Sequence, residues 1–195
     1  MGNGLSRDNP RLVILGLDSA GKSTVLYRLK FDQYVDNVPT VGFNLEKIRS
    51  SAGRSKGTVF QVWDVGGQEK TRSLWKSYSR SADGVLFVVD SADEERLEEA
   101  RMELHRFANL KESLAVPIMV LANKQDLPSA LSADQVGEKL NLNRLPQSKI
   151  CDILEICAVT GDGLESVFDG ILELVTKRRR QLKQKKDKSF TTLFR

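Results

Sequence analysis

The residues Gly16-Leu17-Asp18-Ser19-Ala20-Gly21-Lys22-Ser23 have the composition of an anion cradle. Glycines at the two ends of the run let a backbone wrap closely around phosphates. Its amides and the N-terminus of a following helix then face the negative charge. The apolar run Leu12 to Leu15 precedes the segment, and a helix-type sequence starts at Lys22. This is the strand, loop and helix setting that G-x-x-x-x-G-K-[ST] requires. Lys22 is expected to reach β- and γ-phosphates and the Ser23 hydroxyl to ligate Mg²⁺. The expected nucleotide-binding stretch runs on through Thr24. The plain alternative, a glycine turn before a helix, is disfavoured by the strand in front.

Three further segments carry matching chemistry. Val59 to Trp63 reads as a strand that ends in Asp64, Gly66, Gly67 and Gln68. A carboxylate there can hold the Mg²⁺ shell. The Gly67 amide can bond a γ-phosphate, and a free glycine φ would let the loop rearrange when that phosphate leaves. Gln68 is placed to orient an attacking water. Thr40 lies in a loop between the first helix and the next strand, from where it can close the metal site. Asn123-Lys124-Gln125-Asp126 follows another apolar strand. A carboxylate such as Asp126 accepts from the ring N–H and exocyclic amine of guanine, a donor pair adenine lacks. Asn123 would brace this loop, the Lys124 stem would cover the base, and Cys157-Ala158-Val159 would present an amide to the guanine oxygen.

These residues need strand ends to hold them. Leu12 to Leu15, Phe43 to Arg49, Val59 to Trp63, Val85 to Val89, Ile118 to Ala122 and Ile153 to Ala158 are the strand candidates. Most are continuous apolar runs, which suits strands buried on both faces. Phe43 to Arg49 and Val59 to Trp63 are expected to form a hairpin around a 50–57 turn. Helical patterns lie at Lys22 to Phe31, Glu94 to Ala108, Ala133 to Leu140 and Leu164 to about Leu182. Alternation of this kind implies an α/β fold, with a six-stranded, mostly parallel sheet and helices on both faces. The ligand belongs at the carboxyl ends of its strands.

Together the motifs resemble the Ras-like GTPase superfamily, and within it the ADP-ribosylation-factor (Arf) and Arf-like family. GLDSAGKS at 16–23, PTVGFN at 39–44, WDVGGQEK at 63–70, FVVDS at 87–91, LANKQDLP at 121–128 and CAVTGDGL at 157–164 carry the likeness. Asp18 stands where Ras-type loops usually hold glycine. The resemblance implies a P-loop NTPase G domain that binds GTP or GDP with Mg²⁺ and hydrolyses GTP slowly. It implies guanine-nucleotide exchange factors, GTPase-activating proteins and GTP-state effectors as partners, acting at membranes in signalling or vesicle trafficking. It also implies a register shift of the hairpin between nucleotide states, and an effector patch of Phe43, Trp63 and Tyr78; plain core packing is the alternative for these rings. Two departures stand out. No long amphipathic helix precedes the first strand, and the 50–57 turn is longer than usual for the family.

The 195 residues suit one domain of ordinary size. Residues 1–10 form a short N-terminal lipidation segment, 11–176 the GTPase domain and 177–195 a polybasic tail. The tail carries nine basic groups and one acid, while the remainder holds 21 basic and 25 acidic residues. The basic character of the chain therefore belongs to its tail. Met1-Gly2-Asn3-Gly4-Leu5-Ser6 fits the N-myristoylation signal at Gly2. A single acyl chain binds membranes marginally, so a basic tail beside an anionic leaflet is the expected second anchor. A nuclear-import signal and a solvated helix end are the alternatives for the tail. The expected location is cytoplasmic, on the cytoplasmic face of membranes, with the plasma membrane preferred and the nucleus second. No nucleic acid partner is expected, and the chain is expected to be a monomer. Cys151 and Cys157 read as reduced thiols. Two rival functions remain: a GTP-binding module with negligible turnover, and an ATP-using kinase, which Asn123 to Asp126 oppose.

Overall fold

The computed structural model describes residues 9–36, 40, 42–146 and 149–193; for 185–193 only the helical course of the backbone is described. The element order is β1 (Arg11–Leu15), α1 (Lys22–Phe31), β2 (Phe43–Arg49), β3 (Val59–Val65), α2 (Glu69–Arg72), α3 (Trp75–Ser79), β4 (Gly84–Asp90), α4 (Leu97–Ala108), β5 (Ile118–Asn123), α5 (Ala133–Lys139), β6 (Cys151–Glu155) and α6 (Val167–Leu193). One six-stranded sheet runs β2-β3-β1-β4-β5-β6. Only β2 with β3 is antiparallel; the other four pairings are parallel.

The apolar runs explain the layering. Successive side chains of a strand point to opposite faces, so a run without polar residues must be covered twice. Leu12, Ile14, Leu86 and Val88 pack with Val25 and Leu26 of α1 and with Val167, Phe168 and Ile171 of α6. Val13, Leu15, Phe87 and Val89 face the other way, onto Trp75, Leu104, Phe107 and Val136 from α3, α4 and α5. The parallel strands send their carboxyl ends to one edge, where the loops after β1, β3, β5 and β6 gather.

The elements differ from the sequence expectation in three places. β6 starts at Cys151 and stops at Glu155, earlier than the expected run to Ala158. Beyond it the Ile156 amide bonds Ala122 O at 3.0 Å and the Ala158 amide bonds the Asn123 side chain at 3.0 Å, so the chain leaves the ladder to join the loop after β5. The last helix runs to Leu193, past the expected end near Leu182. The apolar stripe ends earlier, near Val175, but the Lys, Arg and Gln that follow are good helix formers and no Gly or Pro interrupts them. α2 and α3 were not foreseen, being too short to display a helical period.

The 50–57 turn is docked on α6. The Asp169 carboxylate accepts the amides of Arg54 at 2.8 Å and Ser55 at 2.7 Å, and Arg54 pairs with Glu173 at 2.8 Å. Ser50 and Ser55 share a buried hydroxyl bond of 2.8 Å inside the turn.

Candidate functional site

The loop between β1 and α1 bends through the left-handed region at Gly16, Ser19 and Gly21. At Gly21 a side chain is excluded twice over: φ is +91°, and a Cβ would lie 2.4 Å from Asn123 Nδ2. Gly21 caps α1 without a side chain, so the first amides of the helix keep their capacity for an anion. Lys22 is buried and folds back along its own loop, donating to Leu17 O at 2.7 Å. Burial pushes its ammonium down to about 8, while Asp64 and Asp18 act in the opposite sense. Asp18, Ser19, Gly21, Lys22, Ser23 and Thr24 form one wall of an open cleft of about 310 Å³, with Thr40, Gly66, Gly67 and Gln68 on the other.

At the foot of that cleft three oxygens from separate segments converge. Ser23 Oγ lies 2.6 Å from Thr40 Oγ1 and 2.5 Å from Asp64 Oδ2, and Thr40 Oγ1 is 3.2 Å from the same carboxylate oxygen. Asn44 adds a donor at 3.4 Å. Asp64 is fully buried, and its Oδ1 has no hydrogen-bond partner among the described residues. A buried carboxylate oxygen left without a donor is costly unless a cation or an ordered water satisfies it. Two hydroxyls and one carboxylate are too few to cage a metal alone. They suit Mg²⁺, which keeps waters and substrate phosphates in its shell. Hard oxygen donors beside an orphaned acid therefore fit the ion.

Asn123 links the halves of the site. It is buried, donates to Ala20 O at 2.9 Å and accepts the Ala158 amide at 3.0 Å, so one amide side chain ties the loops after β1, β5 and β6. Asp126 is exposed at the rim, where its Oδ1 receives the Cys157 thiol at 3.1 Å. Lys124 has a φ of +68° and pairs with Asp90 at 2.5 Å; Val159 is half exposed. Cys151 and Cys157 are free thiols.

Gly67 abuts the phosphate loop so closely that a Cβ would fall 2.4 Å from Gly16 O and 2.5 Å from the Asp18 amide. Close approach of the backbone is what requires glycine here. Gln68 is exposed at the start of α2. Phe43, Trp63 and Tyr78 form a triangle with ring centroids 5.2, 5.4 and 5.5 Å apart. Phe43 is 47% exposed, which separates it from the core proper. Gly2 lies outside the described residues.

Several polar residues at the site escaped the sequence reading. Arg96 grips Asp18 through contacts of 2.9 and 3.4 Å to the carboxylate and 3.1 Å to its backbone oxygen. That hydrogen bond holds the Asp18 carboxyl below its ordinary range. Arg72 is buried against Gly67, Glu99 and Glu103. Both arginines sit in charge-rich helical segments, and nothing local marks them. Their ties to the site come from afar: Asp18 is 78 residues from Arg96, and Glu99 and Glu103 are 27 and 31 residues from Arg72.

The comparisons converge on one family. The family model for the ADP-ribosylation factor family matches residues 3–175. ADP-ribosylation factor-like protein 4C of Homo sapiens is 52% identical over 175 residues, spanning 90% of this chain and 91% of the relative. ADP-ribosylation factor-like protein 4A of Homo sapiens is 47% identical over 199 residues, spanning 96% and 100%. Among solved structures, the Arl6 BBS3 small GTPase from Trypanosoma brucei with the bound nucleotide analogue GppNp superposes with a TM-score of 0.77 at 31% identity, covering 87% of this chain and 98% of that one. With the glycine-rich loop after β1, the buried Asp64 and the loop after β5 meeting at one sheet edge, the chain belongs to the ADP-ribosylation factor family of small GTPases.

Proposed function

We propose that this GTPase is a Mg²⁺-dependent switch that hydrolyses GTP slowly and recruits effectors in its GTP state at a membrane surface. The observation that carries the reading is the convergence of the Ser23 and Thr40 hydroxyls on Asp64, whose other carboxylate oxygen has no partner among the described residues. Thr40 comes from the loop after α1 and Asp64 from the end of β3, so a ligand bridging them would order both segments. Mg²⁺, when bound, supplies the positive charge that offsets the phosphate oxygens. Lys22 and the loop amides hold the β- and γ-phosphates, and the Gly67 amide meets the γ-phosphate. Gln68 orients a water whose oxygen bonds to the γ-phosphorus. The bond to the β–γ bridging oxygen breaks, its electron pair leaves with GDP, and the water proton ends on inorganic phosphate. Asp126, Asn123 and the Ala158 amide select guanine.

The exposed Phe43, with Trp63 and Tyr78 at the seam of β2, β3 and α3, offers effectors an apolar face that changes if the hairpin moves. Exchange factors and activating proteins would act on the two switch segments around Thr40 and Gln68. Myristoyl at Gly2 and the basic tail would together anchor the chain to an anionic leaflet. The decisive experiment is the release rate of a fluorescent GDP with Mg²⁺ and with EDTA. Chelation should speed release by roughly tenfold or more in the native protein and barely change it in Asp64→Asn. Release indifferent to the metal in the native protein would overturn the reading.

A further inference from the structure

We infer that Arg72, seconded by Trp75, is a positioning residue for GTP hydrolysis that holds the Gly66–Gly67–Gln68 backbone from behind. The inference rests on the proposed contacts of the Gly67 amide and Gln68 with the γ-phosphate side. A trans peptide is planar, with its C=O and N–H pointing oppositely, and no cis bond occurs among the described residues. Holding a carbonyl therefore aims the next residue's N–H. Trp75 Nε1 donates to Gly66 O at 3.2 Å in a buried bond, which aims the Gly67 N–H. Arg72 Nε donates to Gly67 O at 2.9 Å, also buried, which aims the plane leading into Gln68. The Gly66 amide is itself tied to Gly42 O at 2.9 Å. Two glycines in succession would otherwise have wide backbone freedom.

The clasp has a rigid base. The Arg72 guanidinium is 5% exposed and meets Glu99 at 2.7 Å and Glu103 at 3.5 Å on α4, with Asp18 at 3.7 Å. Arg96 bonds both Asp18 and Glu99 at 2.9 Å, so the phosphate loop, the diglycine and α4 share one ionic network. A buried guanidinium needs such partners, and its planar fork can serve a carbonyl and carboxylates together, which an ammonium does less well. Trp75 is braced edge-on against Phe87 of β4, with centroids 6.2 Å apart.

The test measures single-turnover GTP hydrolysis and the affinities for GDP and a non-hydrolysable GTP analogue, all with Mg²⁺. Arg72→Ala should slow hydrolysis by about tenfold and lower the ratio of analogue to GDP affinity by a similar factor, with GDP affinity within about twofold of the native value. Arg72→Lys should recover part of both effects. Trp75→Phe keeps the ring but loses the donor, and should lower the affinity ratio. Analogue and GDP affinities falling together would mark a merely structural role and overturn the assignment, as would unchanged rate and ratio in Arg72→Ala. A native protein that bound neither nucleotide would overturn the underlying site reading instead, which the GDP arm alone reveals.

Discussion

Burial holds Lys22 at about 8, so a lysine proposed to bind phosphate also has a tunable charge. Burial lowers its proton affinity; an arriving phosphate restores it. The sign follows directly. Below about 8 Lys22 is charged and binds the anion; above it, binding must first recruit a proton. Nucleotide affinity should therefore fall by roughly threefold to fourfold between pH 7 and 8.5, as read by fluorescent GDP titration at fixed Mg²⁺. Stability shows the mirror image. Between about 8 and the ordinary value of 10.5 the unfolded chain holds more protons at this residue than the free folded protein. This group then adds stability to the free protein as pH rises through that window, so the rise in melting temperature on adding GDP should shrink. Affinity that is flat across pH 7 to 8.5 would contradict the depressed lysine. The role proposed for Lys22 comes from its motif; its lowered proton affinity could not be read there, because burial comes from residues brought in by other segments.

Among the elements, the β2–β3 hairpin has its turn held from outside by α6. Asp169 accepts two successive amides of the turn, and the Ser55 bond leads the contacts that keep its carboxyl below the ordinary range. A carboxylate with a lowered folded pKa favours the docked turn at neutral pH and loses that preference as acid protonates it. Asp169→Ala is expected to speed amide hydrogen exchange at Arg54 and Ser55 by about tenfold, with little change in the paired amides at Val62 and Trp63. Exchange unchanged at the turn would show that the Ser50–Ser55 bond suffices alone. The hairpin, α1 and the buried strands were legible because apolar runs and helical spacing are local patterns. The docking of the turn was not, since Asp169 and Arg54 are 115 residues apart.

For the molecule as a whole, charge separates along the chain and α6 carries it outward. The helix continues without a break from the apolar stripe ending near Val175 into the basic segment. Not all of that charge is available to a partner. Arg179 pairs with Asp83 at 2.9 Å, while Lys177 and Arg180 line an open groove with Arg54. Replacing Lys177 or Arg180 by Gln should weaken binding to phosphatidylserine vesicles by about fivefold each, less at high salt, with a smaller loss for Arg179→Gln. Vesicle sedimentation at two ionic strengths checks this, and equal losses for all three would deny the distinction. No helix among the described residues is long and apolar enough to span a bilayer.

The order of strands and helices, and the two loops read as holding phosphate and base, were written into the chain itself. A backbone that wraps phosphate needs glycine at set spacing, and a strand covered on both faces needs an unbroken apolar run. Neither requirement looks beyond its neighbours. Tertiary structure alone decided that Asp64 keeps an oxygen without a partner among the described residues, that Asn123 joins three loops, and that Arg72 and Arg96 tie α4 to the diglycine and the loop after β1. Those facts depend on which distant side chains fill the same space, and burial and pairing across such distances leave no periodic trace in a sequence.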